Sequence, residues 1–75
     1  MSYDTSLRWT ANPEPDLAGY EVVWRETTEA DWQHSIWVGN VTSYVVENTS
    51  KDNFFFGVRA VDTEGNRSPV VFPRP

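Results

Sequence analysis

The 75-residue chain contains no cysteine, which excludes a disulfide framework and any thiolate metal site. It has one histidine, His34. A zinc centre of the HExxH or Cys/His kind needs partner ligands at set spacings, and none accompany it, so no metal or other cofactor is expected. Positive charge is scarce: six Lys and Arg stand against eleven Asp and Glu, for a net charge of −5. Nucleic-acid binding requires a basic footprint, so no nucleic-acid partner is expected. No polybasic membrane patch is present either. No apolar run approaches the ~20 residues of a membrane span, and no membrane insertion is expected. Residues 1–4 lack the basic and apolar regions of a signal peptide. There is no Gly-rich phosphate loop and no Arg-Gly-Asp tripeptide. Helical periodicity, internal repeats and low-complexity tracts are also missing.

Aromatic residues, by contrast, are dense. Four Trp, four Phe and three Tyr make up 15% of the chain. A chain this short makes one small domain, here residues 1–75 with a core over about 5–72, and buries only ~60% of its unfolded surface. Large rings, at ~150–250 Å² each, let it build a core nonetheless.

The strand signals centre on the run from Phe54 to Asp62. Period-two alternation puts Phe54, Phe56, Val58 and Ala60 on one continuously apolar face, and Phe55, Gly57, Arg59 and Val61 on the other. Before it, residues 7–10 read as a strand with Leu7 and Trp9 inward. Pro13 and Pro15 make the next stretch a loop. Residues 20–25 read as a second strand with Tyr20, Val22 and Trp24 inward and Glu21, Val23 and Arg25 outward. Residues 32–38 make a third, with Trp32, His34, Ile36 and Val38 on the inner side and Trp37 on the outer. Residues 42–46 make a fourth, with Tyr44 and Val46 inward. Residues 68–72 make a last strand, at an edge because Pro69 opens it. Short strands between turn signals indicate an all-β antiparallel sandwich.

No grouping rises to a catalytic signature. His34 and Ser35 are adjacent in one strand and point to opposite sides, so they cannot form a nucleophile–base pair. The acids of the Glu14/Asp16 loop and the Glu26/Glu29/Asp31 loop lack EF-hand spacing and read as solvated. Three Asn-X-Ser/Thr sequons, at Asn40, Asn48 and Asn66, fall at turns or strand ends. The most informative feature is an outward face. Val23, Arg25, Trp37, Phe55 and Arg59 form an apolar, arginine-flanked patch of the composition favoured at binding hot spots. The competing expectation is that Arg25 and Arg59 merely stack over Trp37 and Phe55 and cover them.

The order of motifs carries a resemblance. A Leu-x-Trp strand, a Pro-containing loop and Gly-Tyr-x-Val-x-Trp are followed by a Trp-led third strand and Thr-Ser-Tyr-x-Val. Phe-x-Phe-x-Val-x-Ala-Val-Asp and Gly-Asn-x-Ser-Pro complete the series. From about Thr5 to Val71 this resembles the fibronectin type III domain, an immunoglobulin-like sandwich. The resemblance implies a buried Trp9, core positions at Tyr20 and Val22, and Phe54 where the family carries its corner tyrosine. Phe54 has no hydroxyl for the corner hydrogen bond, and Thr49 stands in the place of the preceding leucine, so a looser corner is expected. The family begins with a strand ahead of the Trp9 strand. Only residues 1–4 remain to supply it, so about six strands are expected, with the first missing or stunted. The resulting open edge invites self-association.

The runs 12–25 and 53–62 also resemble the C-terminal module of secreted bacterial zinc aminopeptidases. What the resemblances imply is a non-catalytic interaction or spacer module from a larger secreted, cell-surface or periplasmic protein. Its partner is then a neighbouring domain or another protein. Two alternatives stand beside this. One is the accessory domain of a secreted zinc metallopeptidase, contributing to substrate or domain docking. The other, weaker, is a carbohydrate-binding module built on Trp37.

Overall fold

A computed structural model describes residues 4–50 and 52–72. Among them no helix occurs. Five strands form: β1 (Thr5–Arg8), β2 (Leu17–Glu26), β3 (His34–Gly39), β4 (Ser43–Val46) and β5 (Phe54–Asp62). They make two antiparallel sheets, one of order β1-β4 and one of order β3-β2-β5.

The two sheets share one core. Leu7 and Val46 from the first meet Tyr20, Val22, Phe56, Val58 and Ala60 from the second. The period-two reading of β2 and β5 holds because both are regular over their centres. Tyr20 pairs with Ala60, Val22 with Val58 and Trp24 with Phe56, all on the inner face. Trp9 lies just past β1 and continues its ladder, its N–H donating to the Thr42 carbonyl at 2.9 Å. Its indole packs on the core, 5.6 Å from the Tyr20 ring in a T-shaped pair.

The expected stunted first strand lies partly on Met1 to Tyr3, outside the described residues. Asp4 is in no strand; its Oδ1 accepts the Asn48 N–H at 2.9 Å. At the corner where a tyrosine hydroxyl was missed, the Thr5 hydroxyl donates to the Thr49 carbonyl at 2.6 Å. A second short side chain thus ties down the segment that precedes Phe54.

Three expectations need correction. The third strand starts at His34, not residue 32, and Trp32 precedes it. Ile36 does face inward opposite Val22, yet it is 37% exposed, because β3 is an edge strand lying beyond the core. Residues 68–72 do not form a strand. With Arg67 just before them, they are bridged to β5 at isolated points, Val61 with Arg67 and Val58 with Val71. The Ser68 N–H donates to the Ala60 carbonyl, while the Ala60 N–H is received by the Ser68 hydroxyl at 2.8 Å. The register slips by one residue before Val71, where Pro69 has no N–H to offer.

Candidate functional site

The outer face of the three-stranded sheet falls into three zones along the strands. At one end the Trp37 ring lies over Gly19. A β-carbon on Gly19 would come within 2.6 Å of the Trp37 Cη2, so the indole rests on a floor that has no side chain. Trp37 is 53% exposed.

The middle zone is ionic. Glu21 sits directly opposite Arg59 across the β2–β5 ladder. Arg59 Nε donates to Glu21 Oε1 at 2.6 Å, and Arg67 Nε reaches the same oxygen at 3.2 Å. The Glu21 side chain is only 12% exposed, against 25% for Arg59 and 54% for Arg67. One half-desolvated carboxylate thus holds an arginine from β5 and another from the tail after it. Arg59 is therefore paired with Glu21, which corrects the expectation that it covers an aromatic ring.

The third zone is apolar and closed. Val23 was expected on the open patch, yet it is fully buried. Gly57 lies opposite it across the ladder and is buried too. A β-carbon on Gly57 would sit 2.2 Å from Val70 Cγ1 and 3.2 Å from Trp32 Cη2. Val70 and Trp32 thus roof this part of the sheet. Phe72 extends the roof, its ring 6.2 Å from that of Trp32. Arg25 closes the end, its guanidinium 5.2 Å from the Trp32 ring and 4.8 Å from the Phe55 ring, with Nη1 donating to the Glu29 carbonyl. Phe55 remains 43% exposed beneath it.

The five sequence-chosen residues share a face but differ in surroundings. Trp37 is open, Arg59 is engaged, Val23 is buried, and Arg25 with Phe55 forms a cation–π cap. Sequence reading missed Glu21, Trp32 and Val70. Glu21 could have been found, since it lies on the same outward parity as two arginines. Trp32 and Val70 could not, because they come from irregular segments to which alternation does not apply.

Elsewhere, His34 stacks on Trp24 at 5.2 Å and stands edge-on to Phe54. No three His, Asp or Glu come together among the described residues. Asp62 holds the 62–66 turn. It accepts the Glu64 and Asn66 N–H groups at 2.9 and 2.8 Å and the Asn66 Nδ2 at 3.0 Å. The Asn66 bonds, chiefly, hold its carboxyl below the usual value of 3.8. Asn40, Asn48 and Asn66 are all exposed.

No protein-family model matches the chain, and no solved structure does. Curated proteins do match. A "Probable zinc metalloprotease" of Pyrenophora teres f. teres is 47% identical over 75 residues, which is 100% of this chain and 15% of the relative. A protein of the same name from Pyricularia oryzae is 45% identical over 78 residues, again 100% of the chain and 15% of the relative. A third, from Leptosphaeria maculans, is 43% identical over 75 residues and 17% of its own length. These sources are fungi, where the sequence resemblance pointed to bacteria. Over its whole length the chain is the counterpart of one domain-sized segment of much longer proteins named as probable zinc metalloproteases.

Proposed function

We propose that the chain is a fibronectin type III-like, non-catalytic accessory domain of a longer, secreted metalloprotease-like protein. On this reading it docks against a neighbouring part of that polypeptide through the Trp37 end of its outer face. The observation that carries the reading is the match of the entire chain to about 15% of proteins named probable zinc metalloproteases. The pairing β1-β4 over β3-β2-β5, with a tail beside β5, is consistent with an immunoglobulin-like sandwich of which one edge strand is not among the described residues. Trp37 supports the docking site: it is large, open, and seated on a flat glycine floor, and tryptophan is favoured at the centres of interfaces. A carbohydrate platform has less support. Phe55 is offset from Trp37 by four residues along the sheet, roughly 13 Å, and lies under Arg25, so no second open ring extends the surface.

Two measurements test this. The isolated chain, supplied with zinc and peptide substrates, is expected to show no turnover. Hydrolysis above that of a Trp9→Ala control would overturn the non-catalytic reading. In the longer protein carrying this domain, Trp37→Ala is expected to leave peptidase turnover intact while separating the domain's melting from that of the rest. Melting that stays joined would remove Trp37 from the interface.

A further inference from the structure

β3 ends its sheet, and no described strand pairs with its outer edge. The hydrogen bonds on the far side of the sheet show which of its groups are open. Val58 exchanges both backbone bonds with Val71, so its N–H and C=O turn away from β2. Val22 stands opposite Val58, so its own groups turn away from β5 and toward β3, where its partner is Ile36. Ile36 is therefore bonded to β2. Backbone direction alternates along a strand, so the N–H and C=O groups of Ser35 and Trp37 point outward from the edge. The β-bulge opposite Tyr20 and Glu21 begins after Trp37, which leaves residues 34–37 regular. Edge strands are commonly guarded by lysine, proline or an inward charge. Residues 32–46 contain no Asp, Glu, Lys, Arg or Pro. Ile36 faces inward and is still 37% exposed.

These open groups complement themselves. A two-fold axis through Ile36, normal to the sheet, sets Ser35 opposite Trp37 of a second copy, and Trp37 opposite that copy's Ser35. Each is a bonded pair that exchanges both N–H···O=C bonds. Ile36 then meets Ile36 of the second copy in the closer, non-bonded pair, with Cα atoms about 4.5 Å apart, and the two cover each other's exposed side. On the outer face the small Ser35 leaves room for the facing indole. β3 lies beyond the core, so joining there does not press one two-stranded layer against the other. Charge permits the contact as well. Each chain carries −5, yet an antiparallel joint sets the acidic 26–31 loop of one copy beside the uncharged 39–43 turn of the other. We propose that β3 is the seam of a symmetric dimer, in which two copies of the chain share one sheet of order β5-β2-β3-β3-β2-β5. The contact is isologous and closes on itself, so no third copy can add to it. A joint this short lies below the ~1,200 Å² of stable interfaces, so the dimer is transient. Edge pairing leaves the outer face open, and the inference does not depend on the docking role of Trp37.

Sedimentation equilibrium of the chain at concentrations up to about 1 mM tests this, with amide hydrogen exchange read at both ends of the range. A dimer is expected, with exchange at Ser35 and Trp37 slowing about threefold or more as concentration rises. The Val23 and Val58 amides, protected throughout, report that each chain is folded. Ile36→Lys and Ile36→Glu each set like charges opposite one another and are expected to weaken dimerisation about fivefold or more. Mixed in equal amounts, the two variants carry the same summed charge as two parent chains and are expected to dimerise again. A monomer at every concentration would overturn the proposal. So would a dimer that persists in both variants, or one that adds no protection at Ser35 and Trp37, since either would assign the contact to another surface. Variants that dissociate and do not recover on mixing would overturn the pairing of Ile36 with itself, and the two-fold seam with it.

Discussion

Gly57 shows how much a single absent side chain can decide. Val70 and Trp32 close over β5 only because nothing projects from this position. Gly57→Ala forces a methyl group into that contact, and overpacking of this kind costs about 1–3 kcal/mol. Urea unfolding checks it; an unchanged midpoint would mean that Val70 does not seat there. Asp62 offers a second residue-scale prediction. Its carboxylate is stabilised by the turn's donors, so its folded pKa lies below its unfolded one. The stabilisation is complete above the unfolded value, near 4, and is lost as pH falls through the depressed folded value. Asp62→Asn should therefore lower stability at pH 7 relative to the parent chain, with the gap closing in strong acid. A gap that stays constant with pH would show that the turn does not depend on the charge.

At the scale of the element, β2 is the only strand among the described residues with a strand on both sides, and both its faces are covered over Val22 and Val23. Val23→Ala is accordingly expected to cost about 2 kcal/mol, whereas Trp37→Ala on the neighbouring edge strand should cost less than about 1 kcal/mol. Paired melts of the two variants separate structural from available surface. Equal losses would mean that the outer face is one continuous structure. What was legible in the sequence follows the same division. Phe54 to Ala60 and Tyr20 to Trp24 alternate strictly, so their inner faces could be read directly. Val23 alternates as well and was assigned outward correctly, but outward is not exposed once Trp32 and Val70 fold back. Those two residues sit where the chain is irregular. Trp32 precedes β3 and Val70 follows Pro69, and there neither period nor parity says where a side chain goes. Ile36 failed for the opposite reason. Its parity was right, but nothing in a sequence states that the facing layer is two strands wide among the described residues.

For the molecule as a whole, a chain of 75 residues has roughly 4–11 kcal/mol of total stability at ~0.05–0.15 kcal/mol per residue. Trp9 fills the junction of the two layers against Tyr20, and its buried Nε1 has no hydrogen-bond partner among the described residues. Trp9→Ala is expected to cost about 3 kcal/mol or more, a large share of that total. A cooperative melt at nearly the parent temperature would show that the junction does not carry the fold.

The tail beside β5 has a mechanical consequence. Its attachments, the two Val58–Val71 bonds and those joining Ser68 to Ala60, succeed one another along a single strand edge. Force applied at Phe72 perpendicular to β5 loads them one after another, as in opening a zipper, whereas force along the strand would load them together in shear. Tension on that side would strip Val70 and Phe72 from the outer face at low load, baring Gly57 and Val23, while the ladder between β2 and β5 still held the inner core closed.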